Sequence, residues 1–220
     1  MGTGIGPGRS SVRRCARESA VTSNVIPGSG HPVSGPVATV RSLVASHEPA
    51  DDREVASRDR ILEELDRLAE PFDENADPVH LTGSAVVVGR RGTILHLHKR
   101  LGRWMQTGGH IEPGELPHDA ALRESEEETG LTLSHPGNGP RLLHVDVHDA
   151  ARGHLHLDLR YLLLGPEEDP SPPAGESPLA KWFTWPEALG MADEALTGAL
   201  RAARRQPESE STAAPQTSKD

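Results

Sequence analysis

The sequence predicts an α/β sandwich that follows a helical extension near the N-terminus. Runs with alternating apolar residues, typical of strands, lie on both sides of a helix-like segment, and a second helix-like segment closes the series. Strands, a helix, strands and a helix in that order favour a layered α/β architecture. The 220 residues are enough for one domain of this kind together with terminal tails.

The first 75 residues divide into two segments of different composition. Residues 1–38 are rich in Gly, Ser, Pro and Val without periodicity, and we expect this tail to be disordered. Residues 39–75 form the predicted helical extension, in which Asp51 or Asp52 would cap the second helix. We expect it to pack on the outside of the fold, and a role in a homodimer interface stays open. Its apolar residues recur at helical spacing: Val40, Leu43, Val44, Ile61, Leu62, Leu65 and Leu68.

Residues 76–205 contain the predicted sheet and its helices. Gly89 to Gly92 suit a hairpin turn between two strands. A terminal helix is predicted over residues 186–204, interrupted near Gly190, and residues 206–220 form a second tail that we expect to be disordered. Residues Trp104–Ile111 lead into the segment that follows. The strand-like runs are Ala85–Val88, Thr93–His98, Leu142–His148, His154–Leu164 and Lys181–Thr184.

The segment 109–131 carries the strongest chemical signal. Pro117 suits the first turn of a helix, and Gly130 suits the left-handed residue that ends it. Within this helix three carboxylates at positions i, i+3 and i+4 share one face: Glu124, Glu127 and Glu128. They repel one another unless a cation lies against them, and magnesium prefers such oxygen ligands.

The segment resembles the Nudix box, G-x5-E-x7-R-E-U-x-E-E-x-G-U, where U is aliphatic. The matching residues are Gly109, Glu115, Arg123, Glu124, Glu127, Glu128, Gly130 and Leu131. Ser125 departs from the pattern, which we interpret as weaker packing of the helix on the sheet without loss of chemistry. The resemblance implies a Nudix-type α/β/α sandwich with a mixed sheet over residues 76–205.

The resemblance also implies an activity and roles for the box residues. It implies a Mg²⁺-dependent diphosphohydrolase, or pyrophosphatase, that cleaves the diphosphate linkage of a nucleoside diphosphate joined to another moiety, with Mn²⁺ as an alternative ion. Glu124, Glu127 and Glu128 would bind the metal, and Glu124 or a later carboxylate would assist the attacking water. Glu115 and Arg123 resemble the salt bridge that orients the helix. The substrate is not selected by these residues.

Two other functions within the same fold remain as alternatives. A non-catalytic ligand-binding or sensor domain is disfavoured because the box is complete. An isomerase similar to isopentenyl-diphosphate isomerase would require a catalytic cysteine, and Cys15 in the N-terminal tail is the only cysteine.

A second cluster of polar residues lies on a predicted hairpin. Polar and apolar residues alternate on its two strands, which places the polar set on one face: His144, Asp146, His148, His154, His156, Asp158 and Arg160. The simplest register pairs His148 with His154, Asp146 with His156, and His144 with Asp158. His96 and His98 could extend this surface.

Three interpretations of this hairpin stay open. It could line the substrate cleft opposite the acidic helix, form a separate transition-metal site, or be a partly exposed polar sheet face. Under the first, the candidate substrate-binding residues are His144, Asp146, His156 and Asp158, with Trp104 stacking on a base. His110, in the box loop, is expected to be a packing residue or to contact the metal ligands, and not to bind the metal itself.

Composition narrows the possible partners and setting. The net charge of −10 argues against binding to long nucleic acid, which needs basic surface, whereas a small nucleotide or another diphosphate remains compatible. No apolar run has the length of a membrane span, so no membrane partner is expected. A single cysteine excludes an intramolecular disulfide, which favours a cytoplasmic setting. Arg13-Arg14 is not followed by the apolar stretch of an export signal.

Overall fold

The computed structural model describes residues 35–177 and 179–206, together with Met1. Cys15, Arg13 and most of both predicted tails lie outside the described residues. The N-terminal tail was predicted to reach residue 38, but the first helix, α1, already begins at Pro36 and ends at Ser46. Proline fits this position because the first helical turn does not use its missing N–H group.

The N-terminal extension forms two helices that pack against the sheet. The second helix, α2, spans Asp52–Arg67, and the Asp51 carboxylate caps it by accepting from the Glu54 N–H, which confirms the predicted cap. Val40 and Val44 of α1 and Ile61 of α2 are buried in the same cluster as the central strands. The extension is therefore part of the helical layer on one face of the sheet.

The sheet has seven strands and is mixed. Its main order is β3-β2-β1-β6-β5, with β4 paired to β1 and β7 paired to β2. The β1 and β6 strands run parallel and the other pairs are antiparallel. The strands are β1 Val79–Gly89, β2 Gly92–His98, β3 Arg103–Met105, β4 Thr107–His110, β5 Leu142–Asp149, β6 Leu155–Leu164 and β7 Ala180–Phe183.

Helices cover both faces of the sheet, as the predicted sandwich requires. Helix α3, Pro117–Thr129, packs on the same face as α1 and α2, while α4, Trp185–Met191, and α5, Glu194–Arg204, pack on the other. The terminal helix was predicted to be interrupted near Gly190. This interruption is confirmed, because α4 ends at Met191 and the Asp193 carboxylate caps the N-terminus of α5.

Helix α3 lies unusually close to β1. A Cβ atom at Gly83 would lie 2.1 Å from the Pro117 carbonyl oxygen, so only glycine permits this approach. The edge of β5 is covered by α2, because the Val145 N–H donates to the buried Glu54 carboxylate at 3.0 Å. Within the described part of the chain, no helix is long and apolar enough to cross a membrane.

The predicted register of the β5–β6 hairpin is wrong by two residues along β6. The observed partners are His148 with His156, Asp146 with Asp158, and His144 with Arg160. The turn is centred later than predicted because Arg152 and Gly153 adopt left-handed φ angles of 60° and 77°. The polar residues still share one face, since this change preserves the alternation of side chains along each strand.

His144 links this face to the acid stability of the fold. Burial lowers its pKa to about 4, and repulsion by Arg160 contributes, whereas an unfolded histidine titrates near 6.5. Between these pH values the unfolded chain binds a proton that the folded chain does not. Above about pH 6.5 the titration of His144 does not change the free energy of unfolding. As the pH falls from there toward about 4, the free energy of unfolding decreases by on the order of 1.4 kcal/mol per pH unit.

Replacing His144 by leucine is therefore expected to flatten the pH dependence of stability in this window. Leucine cannot bind a proton. It is an apolar replacement for the His144 ring, which is buried beside Gly198 of α5. Urea unfolding measured between pH 4 and 7 checks this. An unchanged slope in the variant would show that His144 does not account for the acid sensitivity.

Candidate functional site

The box helix begins and ends where the sequence predicted. The Asp119 carboxylate accepts a hydrogen bond from the Leu116 N–H at 3.1 Å, which stabilises the first turn. At the other end Gly130 has a φ of 67°. A Cβ atom there would lie 2.1 Å from the Ser171 carbonyl oxygen, so both the backbone angle and the contact require glycine.

Glu115 and Arg123 form a bidentate ion pair between the box loop and α3. Arg123 donates from Nε to Oε1 at 2.8 Å and from Nη2 to Oε2 at 3.0 Å. Nη2 also donates to the His110 carbonyl oxygen at 2.9 Å. The hydrogen bond from Arg123 lowers the pKa of Glu115. Planar pairs of this kind fix geometry as well as charge, so Arg123 fastens the helix to the loop that precedes it.

The carboxylates of Glu124 and Glu128 lie against the backbone of β4. A Cβ atom at Gly109 would lie 2.5 Å from Cδ of Glu124, so this carboxylate occupies the space that a side chain would need. Glu128 accepts from the Gly108 N–H at 3.0 Å. Glu127 is 52% exposed and lies 3.4 Å from Arg123 Nη1. The two glycines thus bring the helix carboxylates onto the strand.

The electrostatics of this cluster favour a bound cation. Burial raises the pKa of Glu128 to about 8, and repulsion from Glu124, Glu176 and Glu127 adds to it. Burial also raises the pKa of Glu124, although Arg123 opposes the shift. Carboxylates with raised pKa values are those whose charge is incompletely compensated. A cation beside them would supply the missing compensation.

The donor set fits a hard divalent ion bound with the help of water and phosphate. Within the described residues, the three box glutamates do not bring ligand atoms within 4.8 Å of one another as a group. Magnesium usually binds through one or two carboxylates and keeps several waters or substrate phosphate oxygens. Glu124 and Glu128 can provide these one or two carboxylate ligands, and the third glutamate need not lie equally close.

A solvent-open depression of about 370 Å³ adjoins Glu128 and was not anticipated from the sequence. Lys99 and Arg100, on the turn after β2, place two exposed cations at its edge. Their place beside Glu128 could be recognised only from the fold, because isolated basic residues in a turn match no sequence motif. The lining residues are His96, His98, Lys99, Arg100, Glu128, Glu176 and Ser177.

His96 does not extend the polar hairpin surface as predicted. It shares its sheet face with Ile94, which is buried in the cluster with α3. Its Nδ1 lies 3.1 Å from Oε1 of Glu128 without the geometry of a hydrogen bond. Burial lowers the pKa of His96 to about 4, so the ring is neutral near pH 7.

Ser125 is fully buried and bonded where the box usually carries an aliphatic residue. Its Oγ donates to the Ala121 carbonyl oxygen at 2.6 Å and lies 2.6 Å from Oγ1 of Thr107 on β4. Because the serine proton is used by Ala121, the Thr107 hydroxyl donates to Ser125. The contact between helix and sheet is thus kept by a polar pair.

Replacing Ser125 by alanine is expected to lower the free energy of unfolding by about 1–3 kcal/mol, because the buried Thr107 hydroxyl loses its partner. Adding Thr107→Val to this variant should lower the free energy of unfolding much less than Thr107→Val does in the parent protein. A double-mutant cycle by urea denaturation measures the coupling. Strictly additive effects would show that the two hydroxyls do not act as a pair.

The polar hairpin face lies on the side of the sheet away from α3, so the interpretation that it faces the acidic helix is wrong. Asp158 accepts from the hydroxyls of Thr82 and Ser84 at 3.0 and 2.9 Å. Gly83, between those two residues, contacts α3 on the opposite face. Strand β4 therefore separates this face from Glu124 and Glu128.

The candidate substrate-binding residues of this face are mostly buried. Arg160 donates to Asp158 at 2.8 Å and to Asp146 at 3.0 Å, and all three are at most 2% exposed. His144 is buried beside Gly198. Trp104 packs edge-on against Phe183, with ring centroids 4.8 Å apart. Of the five candidates His156 and Trp104 are partly exposed. The other three are buried, and their observed contacts are packing and ion pairing.

The family is decided by comparison with known proteins. The model of the NUDIX domain matches residues 78–205, which is more than half of the chain. The chain belongs to the Nudix family. A solved Nudix hydrolase from Clostridium perfringens is 28% identical, with a TM-score of 0.50 over 57% of this chain and 96% of that chain. The shared fold confirms the predicted Nudix architecture.

Other similar proteins match more weakly or over shorter stretches. The MutT Nudix hydrolase from Burkholderia pseudomallei is 26% identical, with a TM-score of 0.47 over 56% of this chain and 97% of that chain. An RNA pyrophosphohydrolase from Erythrobacter litoralis (strain HTCC2594) is 53% identical over 34 residues. That match spans 16% of this chain and 21% of the relative.

Proposed function

We propose that the protein is a Mg²⁺-dependent Nudix diphosphohydrolase, or pyrophosphatase, that cleaves the diphosphate linkage of a nucleoside diphosphate joined to another moiety. The observation that supports this proposal most strongly is the packing of Glu124 and Glu128 against Gly108 and Gly109. All seven fixed residues of the box are present, and these two partly buried carboxylates have raised pKa values.

The box residues would divide into ligands and positioning groups. Glu124, Glu127 and Glu128 would hold Mg²⁺, or Mn²⁺ in its place. Such an ion neutralises phosphate charge and makes a bound water more acidic. Arg123 keeps α3 in place through Glu115 and donates to Glu124 at 2.7 Å, which limits the movement of that carboxylate.

The attacking water and the substrate would meet at the exposed side of the cluster. Glu127 has the most exposed carboxylate of the three, so it can accept the proton of the water. The water oxygen forms a bond to one phosphorus as the bond to the bridging oxygen breaks. Both products are phosphomonoesters, because the bridging oxygen leaves with the second phosphorus.

Lys99 and Arg100 would bind the charged diphosphate from the other side of the depression. Their exposed positions let the side chains follow a ligand into it. Catalysis of transfer at phosphorus depends largely on positioning and on charge stabilisation. Two cations facing the acidic helix provide both for a substrate that arrives with a metal ion.

A panel of nucleoside diphosphates joined to sugars, nucleosides or other groups tests this function. The purified protein is incubated with each compound and Mg²⁺, and the products are separated by anion-exchange chromatography. We expect turnover of at least one compound into two phosphomonoesters, and loss of turnover with EDTA. Ligand binding by calorimetry without turnover across the panel would instead support a sensor domain.

A further inference from the structure

We propose that His80, His110 and His156 form a binding site for a transition-metal ion, with zinc as the matching ion, separate from the carboxylates of the Nudix box. One potential ligand atom from each lies within 4.8 Å of the others. The residues belong to the neighbouring strands β1, β4 and β6. Register places them on one face, because His80 pairs with His156 while His110 pairs with Thr82.

The ring of His80 presents a lone pair that nothing in the described structure uses. The ring is wholly buried, and its Nδ1 lies 3.2 Å from the Asp77 carbonyl oxygen. A carbonyl only accepts, so Nδ1 carries the proton and Nε2 carries the lone pair. Nε2 has no hydrogen-bond partner among the described residues. A buried polar atom of this kind requires an explanation, such as an ion.

A carboxylate lies beside the corresponding nitrogen of His110. Its Nδ1 lies 3.1 Å from Oε2 of Glu74, an ion-pair distance without the geometry of a hydrogen bond. The nearby carboxylate favours the proton on Nδ1, which leaves Nε2 with a lone pair. Pairs of this type commonly fix the tautomer and direction of histidines that bind metals. Asp77 and Glu74 both precede β1, so one short segment orients two of the three rings.

The distance between the remaining ring atoms fits a tetrahedral ion. The Nε2 atoms of His110 and His156 are 3.4 Å apart. Two imidazole nitrogens bound to zinc at about 2.0–2.1 Å in tetrahedral geometry would lie about 3.3–3.4 Å apart. Imidazole ligands favour zinc, copper or nickel over magnesium, so the three histidines would select a different ion from the Mg²⁺ proposed for the box.

The site is accessible and adjoins the box loop. His110 and His156 are partly exposed, so an ion can enter and water can complete its coordination. His110 directly follows Gly109, whose backbone contacts the Glu124 carboxylate. Zinc binding would therefore hold β1, β4 and β6 together beside the box, and it is expected to raise the melting temperature.

Without an ion, the same contact would be a hydrogen bond between the imidazoles of His110 and His156. Zinc titration of the protein, purified without a histidine tag and saturated with Mg²⁺, distinguishes the two. Competition with a chromophoric chelator should give one bound equivalent. Co²⁺ should give the strong visible absorption of a four-coordinate site. Absence of a bound equivalent would overturn the proposal.

Single substitutions test which side chains bind the zinc ion. His156→Asn removes a ligand, so it should weaken zinc binding by more than the roughly 10–100-fold that loss of a group supporting a ligand costs. Circular dichroism checks the fold. His118→Asn, at a partly buried histidine on α3, serves as the matched control and should bind zinc unchanged. Glu128→Gln should also leave zinc binding unchanged. Unaltered binding by His156→Asn, or lost binding by Glu128→Gln, would contradict the assigned ligands.

Discussion

Replacing Glu128 by glutamine is expected to lower turnover by about 1000-fold while the protein stays folded. Loss of a carboxylate ligand removes several kcal/mol of charge stabilisation in the transition state. A glutamine oxygen can still accept from the Gly108 N–H, which Glu128 now binds at 3.0 Å. Burial disfavours the Glu128 charge and raises its pKa to about 8. The neutral variant should therefore unfold at an equal or higher temperature.

Glu126→Gln is the matched control on the same helix. The Glu126 carboxylate accepts from the Leu133 N–H at 2.9 Å, away from the box cluster, and a glutamine can replace it there. Steady-state kinetics on the best substrate of the panel should show kcat within a few-fold of the parent protein. Glu127→Gln should behave as Glu128→Gln does. Full turnover in both would remove these residues from the ligand set.

Replacing Arg160 by methionine should give the largest loss of stability, about 3–5 kcal/mol in the free energy of unfolding. The guanidinium bonds the buried carboxylates of Asp146 and Asp158, and it donates to the Ala195 carbonyl oxygen of α5 at 2.8 Å. Without it, two carboxylates remain buried and less compensated. Urea denaturation at neutral pH measures the change.

A surface ion pair provides the control for this variant. Arg41 donates to Asp66 at 2.7 Å, and both side chains are exposed. Solvent screens such pairs, so Arg41→Met should change stability little. A loss in Arg160→Met no larger than that in Arg41→Met would show that the buried network is not what holds β5, β6 and α5 together.

The box and the fold class could be predicted because both depend on local rules. The spacing of Glu124, Glu127 and Glu128 follows from the helical period alone. Asp51 or Asp52 was predicted to cap α2, and Gly130 was predicted to end α3, from their residue types. The structure has Asp51 and Gly130 at these positions. The alternation of polar residues along β5 and β6 correctly predicted a shared face.

Long-range relations could not be predicted in this way. Strand order decides which sheet face the hairpin polar residues occupy, and no local rule gives the parallel pairing of β1 with β6. The role of Ser125 depends on Thr107, which lies on a different element. Lys99 becomes part of the candidate site because β2 ends beside Glu128, and Glu74 meets His110 because of the loop before β1.

Hydrolysis in water enriched in the heavy oxygen isotope tests the central claim most directly. The best substrate of the panel is incubated with and without Mg²⁺, and the products are analysed by mass spectrometry. We expect one heavy oxygen in one of the two phosphomonoester products, and only when Mg²⁺ is present. Ligand binding with no labelled product in Mg²⁺ or Mn²⁺ would contradict the assignment as a metal-dependent diphosphohydrolase.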